Sequence, residues 1–151
     1  MSEGMETGLR MSRDLGLILP EIVVVVTGVA ALFCEMLRLR RWAFPVATGG
    51  LLLATGLTLP LIGDDTTVFM GTYRIDDLSL WAKLILLPAT ALAGTLAIPE
   101  VRGTDREATV YALLALSTVG ALALAGAGDV MFLVLGVLIS SLGSFALVAY
   151  P

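Results

Sequence analysis

The residues most able to do chemistry in this sequence are the few ionisable groups that fall inside long apolar stretches. Glu21, Glu35 and Lys83 each lie within or at the edge of such a stretch. An ionisable side chain in a membrane-spanning segment is by default a candidate for a proton relay or an ion path. Glu35 and Lys83 are therefore the candidate intramembrane ionisable residues.

Each of these three residues also has a structural interpretation. Glu35 stands three residues before Arg38, so an ion pair on one helix face would satisfy it. Glu21 follows Pro20 at the start of its stretch and is expected to face lipid headgroups. The long side chain of Lys83 is expected to reach the membrane surface. Because a proton path normally needs a series of buried titratable groups, the sequence favours these structural interpretations.

Other reactive side chains are scarce. The chain has no histidine and a single cysteine, Cys34, which is expected to be a small buried residue. The commonest metal ligand and general base is therefore missing. The sequence also contains no nucleotide, flavin or iron–sulfur motif. We expect no catalytic residue, no cofactor, no metal site and no nucleic-acid partner.

Long uncharged stretches must position the ionisable residues. Residues 42–63, 108–128 and 130–151 carry no charge, and residues 15–37 and 78–99 carry few. A helix of about 20 apolar residues crosses a hydrocarbon core of about 30 Å. The chain is 58% hydrophobic and 15% charged, whereas about a quarter of a soluble chain is charged. These stretches identify an integral membrane protein.

The predicted fold class is all-α, a polytopic transmembrane helix bundle with about five membrane-spanning helices. A polar tail at residues 1–14 precedes a single transmembrane domain at residues 15–151. The helices are predicted at about 15–37, 42–63, 78–99, 108–128 and 130–150. β-branched and aromatic residues predict an extended or hairpin segment at residues 66–75, and Asp76 predicts the start of the helix that follows.

Basic residues predict the orientation of the bundle. Arg38, Arg40 and Arg41 lie in one loop, and Arg102 and Arg106 lie in another loop on the same side. Loops rich in lysine and arginine stay in the cytoplasm. We therefore expect the N-terminus outside, the C-terminus in the cytoplasm, and a multi-pass location in the inner (plasma) membrane of the cell.

Small residues recur every four positions on the last two predicted helices. Such spacing allows helix backbones to approach closely in lipid, although a water-lined face is the alternative interpretation. The candidate packing face consists of Ser117, Ala121, Ala125, Gly136, Ser140 and Ser144.

Four ordered pieces carry a resemblance to a known family. They are residues 19–22 (Leu-Pro-Glu-Ile), 73–79 (Tyr-Arg-Ile-Asp-Asp-Leu-Ser), 108–120 and 136–147. Together they resemble the N-terminal part of subunit N of the proton-pumping NADH-quinone oxidoreductase (respiratory complex I, NuoN family). The resemblance implies a membrane-arm subunit that serves electron transport to quinone and proton transport.

The sequence departs from this family at two points. Family members carry a glutamate on the fifth helix, whereas Leu138 stands in that place here. Leucine cannot hold a proton, so no catalytic residue is carried over from the family. Members also have about fourteen helices with two inverted repeats, whereas this sequence is expected to end after the fifth helix.

Three hypotheses follow. The first is a truncated subunit with a structural or assembly role, no proton channel of its own, and an adjacent antiporter-like subunit and lipids as partners. The second is the N-terminal piece of a split proton-translocating subunit of complex I, a cation/proton antiporter or a membrane-bound hydrogenase. The third is an unrelated small membrane protein.

Overall fold

The computed structural model describes residues 2–63, 66–68 and 71–149, and the side chain of Glu35 lies outside this description. The described residues form seven α-helices and one two-stranded hairpin. The helices are α1 Ser2–Leu17, α2 Leu19–Met36, α3 Ala43–Thr58, α4 Asp77–Leu96, α5 Ile98–Val101, α6 Glu107–Ala125 and α7 Val130–Ala149. The strands are β1 Thr66–Val68 and β2 Tyr73–Ile75. The predicted all-α polytopic bundle is confirmed.

Membrane-spanning length is reached by four helical segments of the described chain. They are Ala43–Leu61, which includes a 3₁₀ turn after α3, then Asp77–Leu96, Glu107–Ala125 and Val130–Ala149. A fifth span arises if α1 and α2 are counted together, although their axes are bent by 63°. The described chain therefore has four helical segments long and apolar enough to cross a membrane, and a bent pair of helices in the region of the first predicted span.

The first predicted span differs because the polar tail is itself helical. Helix α1 covers Ser2–Leu17, and the chain bends at Ile18 before α2 begins. Pro20 has no N–H to donate to the carbonyl of Gly16, which favours a break at this point. The end of α1 is held because Leu17 is buried against Ile75 and Leu80.

The connection between the second and third predicted spans is confirmed as a hairpin. Strands β1 and β2 pair antiparallel, with Thr67 opposite Arg74; residues 69 and 70 lie outside the description. Asp76 then caps α4, since its Oδ1 accepts from the Ser79 N–H at 2.9 Å and its own N–H donates to Ser79 Oγ at 3.2 Å. This reciprocal capping starts α4 at a fixed point beside the hairpin.

Helices α6 and α7 pack closely through small residues. A Cβ on Gly120 would lie 2.3 Å from the backbone nitrogen of Ser140, and one on Gly143 would lie 2.9 Å from the Ser117 side chain. Ser117 Oγ and Ser144 Oγ are 3.1 Å apart across the same contact. Ala121 lines a groove between α4 and α6 instead. At Gly120 the backbone of α7 therefore leaves no room for a side chain.

Replacing Gly120 with alanine is expected to destabilise the bundle, because the new methyl group forces α6 and α7 apart. Overpacking of this kind costs about 1–3 kcal/mol. The free energy of unfolding in mixed micelles measures the effect. Gly56→Ala is the matched control, since nothing lies within 4 Å of its added Cβ. Removing a helical glycine there should stabilise α3 by about 0.5–1 kcal/mol. Equal tolerance of the two substitutions would contradict the close packing.

Candidate functional site

A buried ion pair joins α2 to α4. Lys83 is 0% exposed and Glu21 is 9% exposed, and Lys83 Nζ lies 2.6 Å from Glu21 Oε1. The expectation that Lys83 reaches the membrane surface is wrong, and so is the expectation that Glu21 faces headgroups. The physical reason is mutual: each charge finds its counter-charge inside the bundle, so neither needs to reach water.

Tyr73 of β2 completes this polar cluster. Its hydroxyl donates a hydrogen bond to Glu21 Oε1, the oxygen that also contacts Lys83. Lys83 Nζ lies 5.1 Å from the centre of the Tyr73 ring, within the range of a cation–π contact. Tyr73 itself is 3% exposed. One acid, one ammonium and one phenol thus meet in one place, which we call the Glu21–Lys83–Tyr73 cluster. Within the described part of the chain, Glu21 Oε2 and Lys83 Nζ have no hydrogen-bond partner, so the ammonium is held by the charge of Glu21.

The hairpin and the turn between α6 and α7 hold Tyr73 in place. The Arg74 N–H donates to the Gly126 carbonyl at 2.8 Å, and the Gly128 N–H donates to the Thr72 carbonyl at 2.9 Å. Gly126 leaves room for the phenol, because a Cβ there would lie 2.3 Å from the ring. Phe132 of α7 meets the same ring edge to face, with centroids 5.5 Å apart.

The electrostatics of the cluster keep the phenol protonated. Burial raises the pKa of Tyr73 above its ordinary value, and the negative charge of Glu21 and the hydrogen bond to it act in the same direction. The Tyr73 phenol therefore remains a hydrogen-bond donor throughout the neutral pH range. Glu21 and Lys83 carry opposite charges, so the cluster is close to neutral as a unit.

The other residues singled out from the sequence do not join the cluster in the described part of the chain. Leu138 lies on α7 and is 57% exposed. Cys34 is partly buried beside a cluster of small residues that includes Ala31 and Ala43. The suggested pairing of Glu35 concerns a side chain outside the description. Among the described residues, no group of three or more histidine, cysteine or acidic side chains could hold a metal ion.

Tyr73 is the member of the cluster that the sequence alone did not single out. It is followed by Asp76 and the start of α4, so its neighbourhood reads as a helix cap and not as a polar site. The sequence did contain one signal of the ion pair, although none of Tyr73. Glu21 and Lys83 each lie close to the start of a span that begins on the same side of the bundle, as expected of opposite charges that meet at one depth.

Chemically, this cluster can fix helices or hold a proton. The single carboxylate, Glu21, receives both the ion pair and the phenol hydrogen bond on one oxygen. Breaking a buried pair by removing one partner typically costs about 3–5 kcal/mol, since an uncompensated charge is left behind. The arrangement therefore ties α2, α4 and the hairpin together at one end of the bundle.

Fold and site together define a polytopic helical membrane protein with a buried ion pair at one end of its bundle. No protein-family model matches the chain. It is, however, 31% identical over 147 residues to NADH-quinone oxidoreductase subunit N of Desulfovibrio desulfuricans, covering 95% of this chain and 29% of that protein. Subunit N of a Mycobacterium species is 31% identical over 132 residues, covering 85% of this chain and 28% of that protein.

A relative from a different kind of complex extends the same similarity. F(420)H(2) dehydrogenase subunit N of Methanosarcina mazei is 29% identical over 142 residues, covering 87% of this chain and 29% of that protein. The chain is thus homologous to NADH-quinone oxidoreductase subunit N, as the ordered sequence pieces predicted. It spans about 29% of the length of the curated relatives it matches.

The raised pKa of Tyr73 predicts a loss of stability in alkali. Unfolding exposes the phenol, which then releases its proton above its ordinary pKa of about 10, whereas the folded state retains it. The contribution of Tyr73 to the free energy of unfolding is therefore fully present below about pH 10 and decreases above it. The native protein should lose up to about 1.4 kcal/mol per pH unit relative to Tyr73→Phe. Unfolding free energies of both proteins across pH 8–12 check this. Parallel pH profiles would contradict the buried, protonated phenol.

Proposed function

We propose that this chain is part of the membrane arm of a complex I-type NADH-quinone oxidoreductase, where it has a structural or assembly role. The observation that carries the proposal is the similarity to subunit N over 95% of the chain. The related proteins are named for two different electron donors but share the designation of subunit N. Because this sequence contains no nucleotide, flavin or iron–sulfur motif, we assign redox chemistry to partner subunits.

The residues of α7 favour a structural role over an independent proton channel. Leu138 stands where the resemblance predicts the glutamate of the family, and α7 carries no ionisable residue. A hydrocarbon side chain can pack against lipid or protein but cannot exchange a proton. We therefore assign α7 to helix packing.

An exposed apolar face on α7 supports the expected partner. Val134, Leu138 and Phe145 are 50%, 57% and 71% exposed on this helix. In a membrane assembly such a face packs against lipid or against a neighbouring helix. The proposed partner is an adjacent antiporter-like subunit, with lipid filling the remaining perimeter.

Location and orientation follow from the charged ends of the bundle. Arg38, Arg41, Arg102 and Arg106 lie at the end of the bundle opposite the Glu21–Lys83–Tyr73 cluster. The positive-inside rule then favours a cytoplasmic arginine end in the plasma membrane. In this orientation the cluster lies near the outer surface, and the C-terminal end of α7 faces the cytoplasm.

A second candidate function is proton translocation by a split antiporter-like subunit. The observation that favours it is the buried ion pair between Glu21 and Lys83, because paired ionisable residues inside a membrane mark many proton paths. In that case another polypeptide would supply the remaining titratable groups. This candidate differs from the first in requiring that the pair itself take part in transport.

Purification of the native complex through a tag on this chain tests the proposal. We expect large membrane subunits of an NADH-quinone oxidoreductase to co-purify, and deletion of the chain to weaken their assembly. Leu138→Glu should leave proton pumping by the assembled complex unchanged. Recovery of the chain without other subunits, with full activity in the deletion strain, would contradict the structural role. An intact complex that loses pumping in Lys83→Met would instead support translocation.

A further inference from the structure

Helix α1 has a charged face and an apolar face, although the segment as a whole is polar. At 3.6 residues per turn, its described charged side chains fall within about a third of the helix circumference. They are Glu6, Arg10, Arg13 and Asp14. Leu9 and Leu15 fall on the opposite side, with Ser12 between them, and are 66% and 53% exposed. This apolar face therefore needs a partner that the bundle does not supply.

The C-terminal end of α1 lies at the level of a membrane surface. Both tryptophans of the chain are exposed, Trp42 directly before α3 and Trp81 in the second turn of α4, so they mark opposite ends of the bundle. Tryptophan is enriched at both surfaces of the membrane. Leu80, the neighbour of Trp81, packs against Leu17 in the last turn of α1. The end of α1 is therefore held close to the level that Trp81 marks.

Helix α2 is long enough to cross the bilayer without help from α1. Its 18 residues extend about 27 Å at 1.5 Å per residue, close to the hydrocarbon thickness of about 30 Å. Helix α1 has five charged residues among its 16 and is bent by 63° from the axis of α2. When α2 runs along the membrane normal, α1 lies nearer to the plane of the membrane than to the normal.

Leu17 determines which face of α1 turns toward the lipid. It lies on the side of the charged residues, opposite Leu9 and Leu15. Its side chain is buried against Ile75 of β2, in the hairpin that lies outside the membrane-spanning helices. The charged face therefore turns toward the hairpin, and the leucine face turns away from it. Beyond the bend, the exposed Leu19 begins the apolar outer surface of α2, so the two surfaces follow one another.

We propose that α1 is an interfacial helix that lies on the membrane surface, with Leu9 and Leu15 among the acyl chains and the charged face in the headgroup layer. The charges of α1 indicate the kind of surface. Two arginines stand against three acidic residues, so attraction to anionic lipid adds nothing. Burial of the apolar face is then the source of binding, and a zwitterionic lipid surface is sufficient.

Spin labels on the full chain in phosphatidylcholine nanodiscs test this proposal. Cysteines are introduced singly at Glu6, Leu9, Arg10 and Leu15 in a Cys34→Ala background, because Cys34 is the single native cysteine. Oxygen concentrates in hydrocarbon and a nickel chelate stays in water, so the ratio of their access gives the depth of each label. Labels at Leu9 and Leu15 should lie about 5–10 Å into the boundary of headgroups and acyl chains. Labels at Glu6 and Arg10 should lie at or above the headgroups.

Three results would overturn the proposal. Access of the nickel chelate to all four labels would place α1 in water. Four labels in hydrocarbon would make α1 part of a membrane span. Depths that appear only when phosphatidylglycerol is added would show that an anionic surface is required. Equal depths with and without phosphatidylglycerol are the result expected.

A glutamate placed on each face provides a matched pair of variants. Leu9→Glu should move a label at Ser12 toward water, because the apolar face loses one of its two leucines. Arg10→Glu adds the same side chain to the charged face and should leave the Ser12 label in place. Both positions are exposed, so neither substitution disturbs the core. A Ser12 label that stays in place in Leu9→Glu, or moves equally in both variants, would contradict the assigned face.

Discussion

A charged lysine can remain inside an apolar helix bundle only if an acid meets it there, and Glu21 meets Lys83 at 2.6 Å. This constraint fixes the relative positions of α2 and α4, which are far apart in the sequence. It also fixes the hairpin, because the Tyr73 hydroxyl bonds the same carboxylate oxygen. The position of the Glu21–Lys83 pair along the helices therefore depends on the β1–β2 hairpin, which lies outside the membrane-spanning helices.

The cluster also constrains α6 and α7, because small residues in these helices and the turn between them allow close contacts. Gly126 makes room for the Tyr73 ring at the turn between α6 and α7, and Phe132 packs against that ring from α7. Further along, Gly120 and Gly143 let the two helix backbones approach. Polar pairing at one end and close backbone packing along the helices thus act together. Such packing is needed in lipid, where burial of apolar surface drives helix association only weakly.

Local chemistry made much of the fold predictable from the sequence. Uncharged runs of about 20 residues determine where helices cross, and Asp76 and Ser79 determine where α4 begins. The first span was predicted less well, because a polar segment shows no long apolar run and yet forms α1. The bend at Ile18 separates the two helices there.

The ion pair could not be predicted in the same way, because it depends on which helices are neighbours. Glu21 and Lys83 each have a satisfactory local interpretation when considered alone, either at a headgroup or at the surface. Only the tertiary arrangement shows that both side chains turn inward. Tyr73 was hidden for a similar reason, since its role depends on the turn at Gly126, which lies more than fifty residues away in sequence.

A double-mutant cycle of Glu21→Gln and Lys83→Met, measured as unfolding free energy in mixed micelles, tests the central claim most directly. Lys83→Met alone should cost about 3–5 kcal/mol, because it leaves a buried carboxylate unpaired. Adding Glu21→Gln should recover a large part of that loss, giving a coupling energy of at least about 2 kcal/mol. Effects that add to within about 0.5 kcal/mol would contradict a buried pair that holds the bundle together.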